Sequence, residues 1–388
     1  MKHTIIASIL LTATVAASPR ALREHVDIHW TYDEVDGWTC LAKTEADGDD
    51  VFEELDEVYL PIDDAPSESN GQRYIQPEGE TYAFTGVAPG DPIWIASQIQ
   101  QAGQCWPGFN NYQATGVFGA YQETDIRLSE ADRSLALPWI KVTLEEVAYQ
   151  GEGGGSFALW QEDSSGNPTV WFSTGDNTHP DTYLFAAGGH QHLFWGFGSP
   201  GIYQIRLRAS AYLDPGQTNP TDPSNIFTVT FAVGNFARWQ TENFERSRLD
   251  DPSFSGPDAD PDHDGMKNIV EFAFGFDPNN GSSQPVGNGL GLPKLSVVGE
   301  GGVFCESLAY PRRRAGGQIS PLIYQPQFAS DLPGDWQDAG IDTTTQDFPV
   351  GMEALNAEWE MATSRRAVGT VPPARGFARV AVGFGGQP

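Results

Sequence analysis

Alternation of apolar and polar residues dominates most of the chain. In the runs 140–144, 203–211 and 227–233, every second residue is apolar, and charged, polar or small residues stand between them. A period of two is the repeat of a β-strand that buries one face. Turn sequences such as Asp214-Pro-Gly216 separate these runs. We therefore predict an antiparallel β-sandwich domain over residues 18–233.

A second region of alternation begins near residue 292. Apolar runs recur at 295–298, 322–325 and 377–384, which predicts a smaller antiparallel β-sandwich over residues 285–388. The basic cluster 312–314 interrupts this region and is predicted to be a solvated turn.

Between the two β regions, in residues 234–284, the repeat becomes helical. Residues 235–246 place Phe236, Trp239 and Phe244 on one side, as in a short amphipathic helix. Helical spacing returns after residue 266 and ends near Gly275. The predicted fold class is mostly β, with two antiparallel β-sandwich domains joined by a short helical segment that carries a calcium loop.

The calcium loop is predicted from the window 260–271. Oxygen-bearing side chains stand at its first, third, fifth, ninth and twelfth places, and Gly265 stands at the sixth. Calcium takes six to eight oxygens, and glycine permits the turn that brings the later ligands round. The expected ligands are Asp260, Asp262, Asp264, Asn268 and Glu271 through their side chains and Met266 through its carbonyl. Nearby prolines disfavour an entering helix, so we expect a structural calcium site; a solvated acidic loop is the alternative.

The start of the chain predicts export. Residues 1–17 combine a short basic beginning with an apolar run too short to span a bilayer, which is typical of a secretory signal peptide. No later apolar stretch is long enough for an integral membrane segment. We expect a secreted, extracellular or cell-surface protein, with the periplasm as another location.

Net charge narrows the range of partners. The 52 acidic residues exceed the 22 basic ones, giving a formal net charge of −30. Such a surface repels phosphate backbones, so no nucleic-acid partner is expected.

Histidines supply the second candidate metal site. His190 and His192 alternate along one predicted strand, and His25 and Asp27 do so along another, so each pair points to one face. If the strands meet, these four residues could bind zinc or manganese. The alternative is a set of hydrogen-bonded polar residues on the solvated face.

Neither the cysteines nor any motif indicates catalysis. Cys40 and Cys105 lie in one predicted domain and are candidates for a disulfide, which export would permit; Cys305 would then be unpaired. The chain contains no G-x-S-x-G or H-E-x-x-H motif, and we predict no enzyme activity.

Two families resemble parts of the chain. The blocks 25–27, 82–86, 92–94, 155–159 and 189–203, including His190-Gln-His192 and Pro200-Gly-Ile-Tyr203, resemble the choice-of-anchor M domain of bacterial surface proteins, over residues ~24–233. That resemblance implies a non-enzymatic exported protein, some of whose relatives are encoded beside metal transporters. Residues ~250–280 resemble a thrombospondin type 3 calcium repeat, followed by a bacterial β module; there Asp258 would assist the calcium ligands.

The sequence thus predicts an exported, non-catalytic bacterial surface or extracellular protein with a structural calcium site, acting as a binding or adhesion module. One alternative is capture of zinc or manganese through the histidines for a metal-uptake partner. Another is a carbohydrate-binding module with a glycan or cell-surface partner, suggested by Trp106, Trp171 and Trp195.

Overall fold

A computed structural model describes residues 18–112, 116–176, 178–286, 292–314, 322–338, 341–348, 352–373 and 375–384. The predicted signal peptide, residues 1–17, lies outside the described residues. The fold is mostly β, as predicted.

The first domain contains seventeen strands, one short α-helix and two single-turn 3₁₀ helices (Ser67–Ser69 and Ala83–Thr85) among its described residues. The strands are β1 (Arg20–Ala21), β2 (His25–Asp33), β3 (Gly37–Ala46), β4 (Asp49–Glu54), β5 (Val58–Ile62), β6 (Arg73–Ile75), β7 (Pro92–Ala96), β8 (Trp106–Asn110), β9 (Ala120–Gln122), β10 (Ala136–Gly151), β11 (Phe157–Glu162), β12 (Pro168–Ser173), β13 (Thr182–Ala186), β14 (His190–His192), β15 (Phe194–Phe197), β16 (Gly201–Ala211) and β17 (Phe227–Val233). The helix α1 (Glu130–Arg133) begins after Ser129, whose side chain accepts a hydrogen bond from the Asp132 amide.

These strands form three sheets around one core. The largest has the order β1-β5-β17-β16-β10-β13, with β9 also on β10; the others are β12-β11-β15-β7-β6 and β14-β8-β2-β3-β4. Residues of all three sheets contribute to a single hydrophobic cluster. Its alternation is clearest in β16, where Tyr203, Ile205, Leu207 and Ala209 are each 0% exposed.

Parallel pairing departs from the predicted antiparallel sandwich. β1 pairs with β5, β5 with β17 and β2 with β8 in parallel, whereas the other pairs within this domain's sheets are antiparallel. Parallel neighbours need long connections, and here residues far apart in the chain supply them. All five residues of β5 are buried.

The linker is helical. It contains α2 (Asn235–Asn243), α3 (Arg246–Leu249), α4 (Pro252–Ser255) and α5 (Asn268–Phe274). Trp239, Phe244 and Leu249 pack with Tyr59 of the first domain and with Phe272 of α5. The helix predicted over 235–246 therefore exists, but it is divided at Phe244.

The last domain has six strands among its described residues. They are β18 (Lys294–Glu300), β19 (Val303–Arg313), β20 (Leu322–Ala329), β21 (Ile341–Gln346), β22 (Trp359–Gly369) and β23 (Phe377–Phe384). A four-stranded sheet, β18-β19-β22-β21, and a two-stranded sheet, β20-β23, share a core that includes Leu308, Tyr310, Phe328 and Ala362. All described pairs in these sheets are antiparallel, as predicted.

The basic cluster is no solvated turn. Arg313 ends β19 with 12% of its side chain exposed, and its guanidinium lies over the rings of Phe272 and Trp359 at 4.0 and 4.4 Å. Its Nε donates to the Phe272 carbonyl at 2.9 Å, and Tyr324 Oη donates to the Ala273 carbonyl at 2.8 Å. The C-terminal end of α5 is therefore held by the last domain, where a cation also suits the helix dipole.

Candidate metal centres

The histidine cluster is built by the register of three strands. β8 lies between β14 and β2, so the predicted histidine strands do not pair directly. In register, Asp27 faces Gly108, and Gly108 faces His192 on its other side; likewise Trp106 stands beside His25. Alternation then directs the cluster to one face while Val26, Ile28 and Phe109 point into the core.

Gly108 of β8 leaves room for side chains of β2 and β14 to meet across the middle strand. A Cβ at this position would stand 2.8 Å from His192 Cε1 and 2.9 Å from the Gln191 carbonyl oxygen. Because two strands flanking a third lie nearly 10 Å apart, side chains meet across the middle strand only if that strand leaves room. Gly108 leaves it, and the His192 ring lies over Trp106 with a centroid distance of 3.5 Å.

Four ligand atoms converge at one point. His190 Nε2 lies 2.9 Å from Asp27 Oδ1, 3.1 Å from His192 Nε2 and 3.3 Å from His25 Nε2. Asp27 Oδ1 lies 3.3 Å from His25 Nε2 and 3.9 Å from His192 Nε2. Ligands at about 2.0–2.2 Å from a tetrahedral ion stand about 3.3–3.6 Å from one another. The five separations of 2.9 to 3.9 Å bracket this range, and these four residues could hold a metal ion.

Hydrogen bonding alone does not satisfy this arrangement. An imidazole Nε2 carries one hydrogen or one lone pair, so it makes one good hydrogen bond. His190 Nε2 has three polar neighbours within 3.3 Å. A single cation at the centre would engage all four atoms at once.

Protonation favours ligation at two of the four positions. Burial alone would raise the pKa of Asp27, yet hydrogen bonds from His25 and Asn110 and the nearby His190 bring it down to about 2. Burial lowers the pKa of His192 to about 4, against the opposing effect of Asp27. At neutral pH the aspartate is charged and His192 is neutral, which are the forms that bind metals. The hydrogen bond to Asp27 is the main cause that raises the pKa of His25, so protons compete there.

A surrounding layer fixes these ligands. Asn110, 0% exposed, donates from Nδ2 to Asp27 Oδ2 at 3.0 Å and accepts at Oδ1 from the Tyr112 amide. Tyr112 Oη lies 2.8 Å from His190 Nδ1. Such partners hold metal ligands in place and set the histidine tautomer. The sequence did not predict the roles of Asn110, Tyr112 and Gly108, because only strand pairing places them beside the histidines.

The predicted calcium loop brings three of its six expected ligands together, the aspartates; Glu271 is not part of this group. One oxygen from each of Asp260, Asp262 and Asp264 lies within 4.8 Å of the others. Gly265 has φ +92°, a conformation that favours glycine, and its amide donates to Asp260 Oδ2 at 3.0 Å. As predicted, a helix leaves the loop and no long helix enters it, since α4 is only four residues long.

Five buried side-chain oxygens in this loop lack a hydrogen-bond partner. They are Asp260 Oδ1, Asp262 Oδ2, Asn268 Oδ1 and both carboxylate oxygens of Glu271. All belong to predicted calcium ligands, and buried polar atoms are ordinarily paired. Burial is the main cause that raises the pKa of Glu271 to about 8, and the three loop aspartates add to it.

Asn268, Met266 and Asp258 each make hydrogen bonds or ion pairs within the protein. Asn268, 0% exposed, donates from Nδ2 to the carbonyls of Phe254 and Gly256, which leaves only its oxygen for an ion. Met266 donates its amide to Asp264 Oδ1 at 2.7 Å. Asp258, implied as an assisting residue, instead pairs with Lys267 Nζ at 2.7 Å.

The predicted disulfide is wrong. Cys40 and Cys105 are both buried free thiols, and Cys305 is free as well. Cys40 faces Trp30 in register, whereas Trp106, next to Cys105, faces His25. Five residues of strand span about 16 Å, far beyond the separation that a disulfide bridges.

The tryptophans proposed for glycan contact are not free surface rings. Trp171 and Trp195 are 2% and 0% exposed, and Trp106 stacks on His192. None of the helices in the described ranges combines the length and apolarity that crossing a bilayer requires.

Comparison with models of known protein families gives no match to this chain. A search of curated proteins likewise finds no match. The resemblances to the choice-of-anchor M domain and the thrombospondin type 3 repeat stay predictions.

Proposed function

We propose that this protein is an exported, non-catalytic metal-binding protein whose sheet site binds a divalent transition metal. The ligands would be His25, Asp27, His190 and His192. One observation carries the proposal: three imidazole Nε2 atoms and one carboxylate oxygen meet at separations of 2.9 to 3.9 Å. Three nitrogens and one oxygen in a tetrahedral arrangement favour zinc, whereas manganese prefers more oxygens and a larger shell.

The arrangement favours capture over catalysis. Four protein ligands fill a tetrahedral shell, while catalytic zinc sites keep one position open for water or substrate. The side chains of His25 and His190 are 24% and 26% exposed, so an ion could reach the site from solvent. Buried Asp27 and nearly buried His192 would form its base.

The biological setting of the proposal is the outside of a bacterial cell. It follows from the signal-like start of the chain and from the surface-protein resemblance. A protein that holds zinc there would serve a metal-uptake partner. The acidic surface favours cations over nucleic acid.

Calorimetric titration of zinc and manganese into metal-free protein tests the site. We expect one zinc per chain, much weaker manganese binding, and loss of the zinc isotherm in His190→Ala and His192→Ala. His179→Ala is the matched control, because His179 lies outside the cluster and contacts Asp176. Zinc binding that survives both cluster substitutions would refute the proposal, and so would an unaltered protein that takes up no zinc.

A second proposal concerns calcium in the linker loop. The five unpaired buried oxygens of the loop support it, and with the Met266 carbonyl they would make six ligands, within the range that calcium takes. The role would be structural, because α5 begins at the ligand Asn268 and ends against Arg313 and Tyr324 of the last domain. Chelation should lower the melting temperature, and an unchanged melt in excess chelator would contradict the proposal.

An adhesion or carbohydrate-binding role remains an alternative to metal capture. The burial of Trp171 and Trp195 removes two of the three rings that suggested it. Binding on a glycan array by the zinc-site variants as well as the unaltered protein would favour this alternative.

A further inference from the structure

A cavity of about 960 Å³ lies where the first domain, the linker helices and the last strand meet. Its walls include the loop after β10, the start of β16, part of α2 and Phe384 at the end of β23. Its volume is at the upper end of the range for small-molecule sites, about 300–1,000 Å³. None of the residues proposed as zinc or calcium ligands lines it. The cavity is therefore a separate candidate site.

Three glutamines supply the cavity with hydrogen-bond acceptors. All three line it, and each amide nitrogen donates one hydrogen bond within the protein. Gln150 Nε2 donates to Ser255 Oγ at 2.8 Å, and Gln240 Nε2 donates to the Ser255 carbonyl at 2.6 Å. Gln204 Nε2 donates to Asp250 Oδ1 at 2.6 Å. Each nitrogen thus uses one of its two N–H donors, and each amide oxygen is free to accept a hydrogen bond from a ligand.

Charge in the cavity is predominantly negative. Asp64, Glu152 and Asp250 line it, against one guanidinium, that of Arg206. Arg206 Nη1 is engaged by Glu146 at 2.5 Å, and Glu146 is not among the lining residues. Asp64 is 1% exposed, and its oxygens accept hydrogen bonds from Trp94 Nε1 and from the Asn235 amide, so it adds negative charge to the wall without a free oxygen. Such a lining attracts a cation and repels an anion.

The remaining walls are apolar and aromatic. Trp94, Tyr149, Ile202, Phe236 and Phe384 contribute to them. Aromatic faces attract an ammonium through the ring quadrupole, and they also bury the apolar part of a ligand. A sugar would use the acceptors, the carboxylates and the rings, whereas a cation would gain in addition from the net negative charge.

We propose that this cavity binds a small organic ammonium ion, with a donating cationic head and an apolar or aromatic body. The head would meet the carboxylates and glutamine oxygens, and the body would lie against the rings. A lysine side chain of a partner carries the same head group, but its aliphatic chain offers the aromatic walls less apolar surface than a free amine with an aromatic body does.

The test is calorimetric titration of the calcium-loaded full chain with phenethylammonium chloride and with 2-phenylethanol. The two probes share size, ring and a donor, and they differ in charge. We expect saturable binding of the amine with one site per chain, weaker by about tenfold for the alcohol. Equal binding of the two probes, preference for a neutral oligosaccharide, or no binding of the amine would overturn the proposal. Tighter binding of N-acetyl-lysine methylamide would overturn the choice of a free amine.

Two variants locate the binding. Gly154 lines the cavity with open space where its Cβ would lie, so Gly154→Trp should fill the cavity and abolish binding. Glu152→Gln should weaken binding several-fold, and more at low salt. Ser165→Trp and Glu78→Gln, at exposed sites that do not line the cavity, are the matched controls. Amine binding that survives Gly154→Trp would refute the location. Amine binding should persist in His190→Ala, so this proposal and the zinc proposal fail independently.

Discussion

Glu271 offers the sharpest test of the calcium loop, because its carboxylate should stabilise the protein with calcium and destabilise it without. The side chain is 0% exposed and neither of its oxygens has a hydrogen-bond partner. Burial, together with Asp262, Asp264 and Asp260, raises its pKa from 4.5 to about 8. Glu271→Gln keeps the shape and removes the charge.

The sign of the pH effect follows from proton binding. Between pH 4.5 and 8 the calcium-free folded protein keeps a proton on Glu271 that the unfolded chain has released, so the free energy of unfolding falls as the pH rises through this window. One pKa unit corresponds to about 1.4 kcal/mol, and the loss between about pH 5 and pH 8 is about 3–4 kcal/mol. The amide in the Glu271→Gln variant cannot titrate, so the variant escapes this loss.

Calcium should reverse the order of stability. The ion pairs with the ionised carboxylate, and at about a hundred times the dissociation constant it adds about 2.7 kcal/mol to the unaltered protein. The variant loses a charged ligand and much of that gain. We therefore expect Glu271→Gln to be the more stable protein in chelator at about pH 8 and the less stable one in calcium.

Urea denaturation of both proteins at about pH 5 and pH 8, with calcium or with chelator, measures these differences. Groups elsewhere titrate equally in both proteins and cancel in the comparison. Glu78→Gln is the control, since Glu78 is exposed. Two results would contradict the predicted reversal: Glu271→Gln being the less stable protein in chelator at the higher pH, or calcium stabilising both proteins equally.

Three further predictions concern the first domain. Gly108→Ala should weaken zinc binding by at least about tenfold, because its Cβ would press on His192, with Gly154→Ala as a calorimetric control in open space. Asn110→Ala should cost about 10- to 100-fold in zinc affinity, since it frees the Asp27 carboxylate; unchanged affinity in the same titration would rule out this positioning role. The protein as purified without reductant should show three thiols to Ellman's reagent after denaturation and fewer before it, because two cysteines are buried; a count of one would restore the disulfide.

Features that depend only on residues close together in the sequence were predictable. All the expected calcium ligands fall within twelve residues, so one loop must bring them together wherever the domains lie. The strand 203–211 was equally clear, because its alternation reports one buried face directly. The exit helix from Asn268 follows from spacing that needs no distant partner.

Features that depend on strand order were not predictable. The sequence placed His25 beside Asp27 and His190 beside His192, but 165 residues separate His25 from His190. Only the parallel insertion of β8, with Gly108 at the crossing point, joins the two pairs.

The wrong expectations have the same origin. A period of two tells which face of a strand is buried, but it does not tell which strand lies alongside. The Cys40–Cys105 disulfide therefore failed on register, and the solvated turn at Arg313 failed because aromatic rings from α5 and β22 cover it.

By itself, the sequence determined the mostly β class, the position of the helical linker and the spacing of oxygen-bearing side chains in the loop 260–271, because each depends on local periodicity or on neighbours within one loop. Only the tertiary structure brings the His25–Asp27 pair to the His190–His192 pair, buries the tryptophans and forms the cavity between the domains. Those features depend on contacts between residues distant in the chain, which local patterns of side chains do not encode.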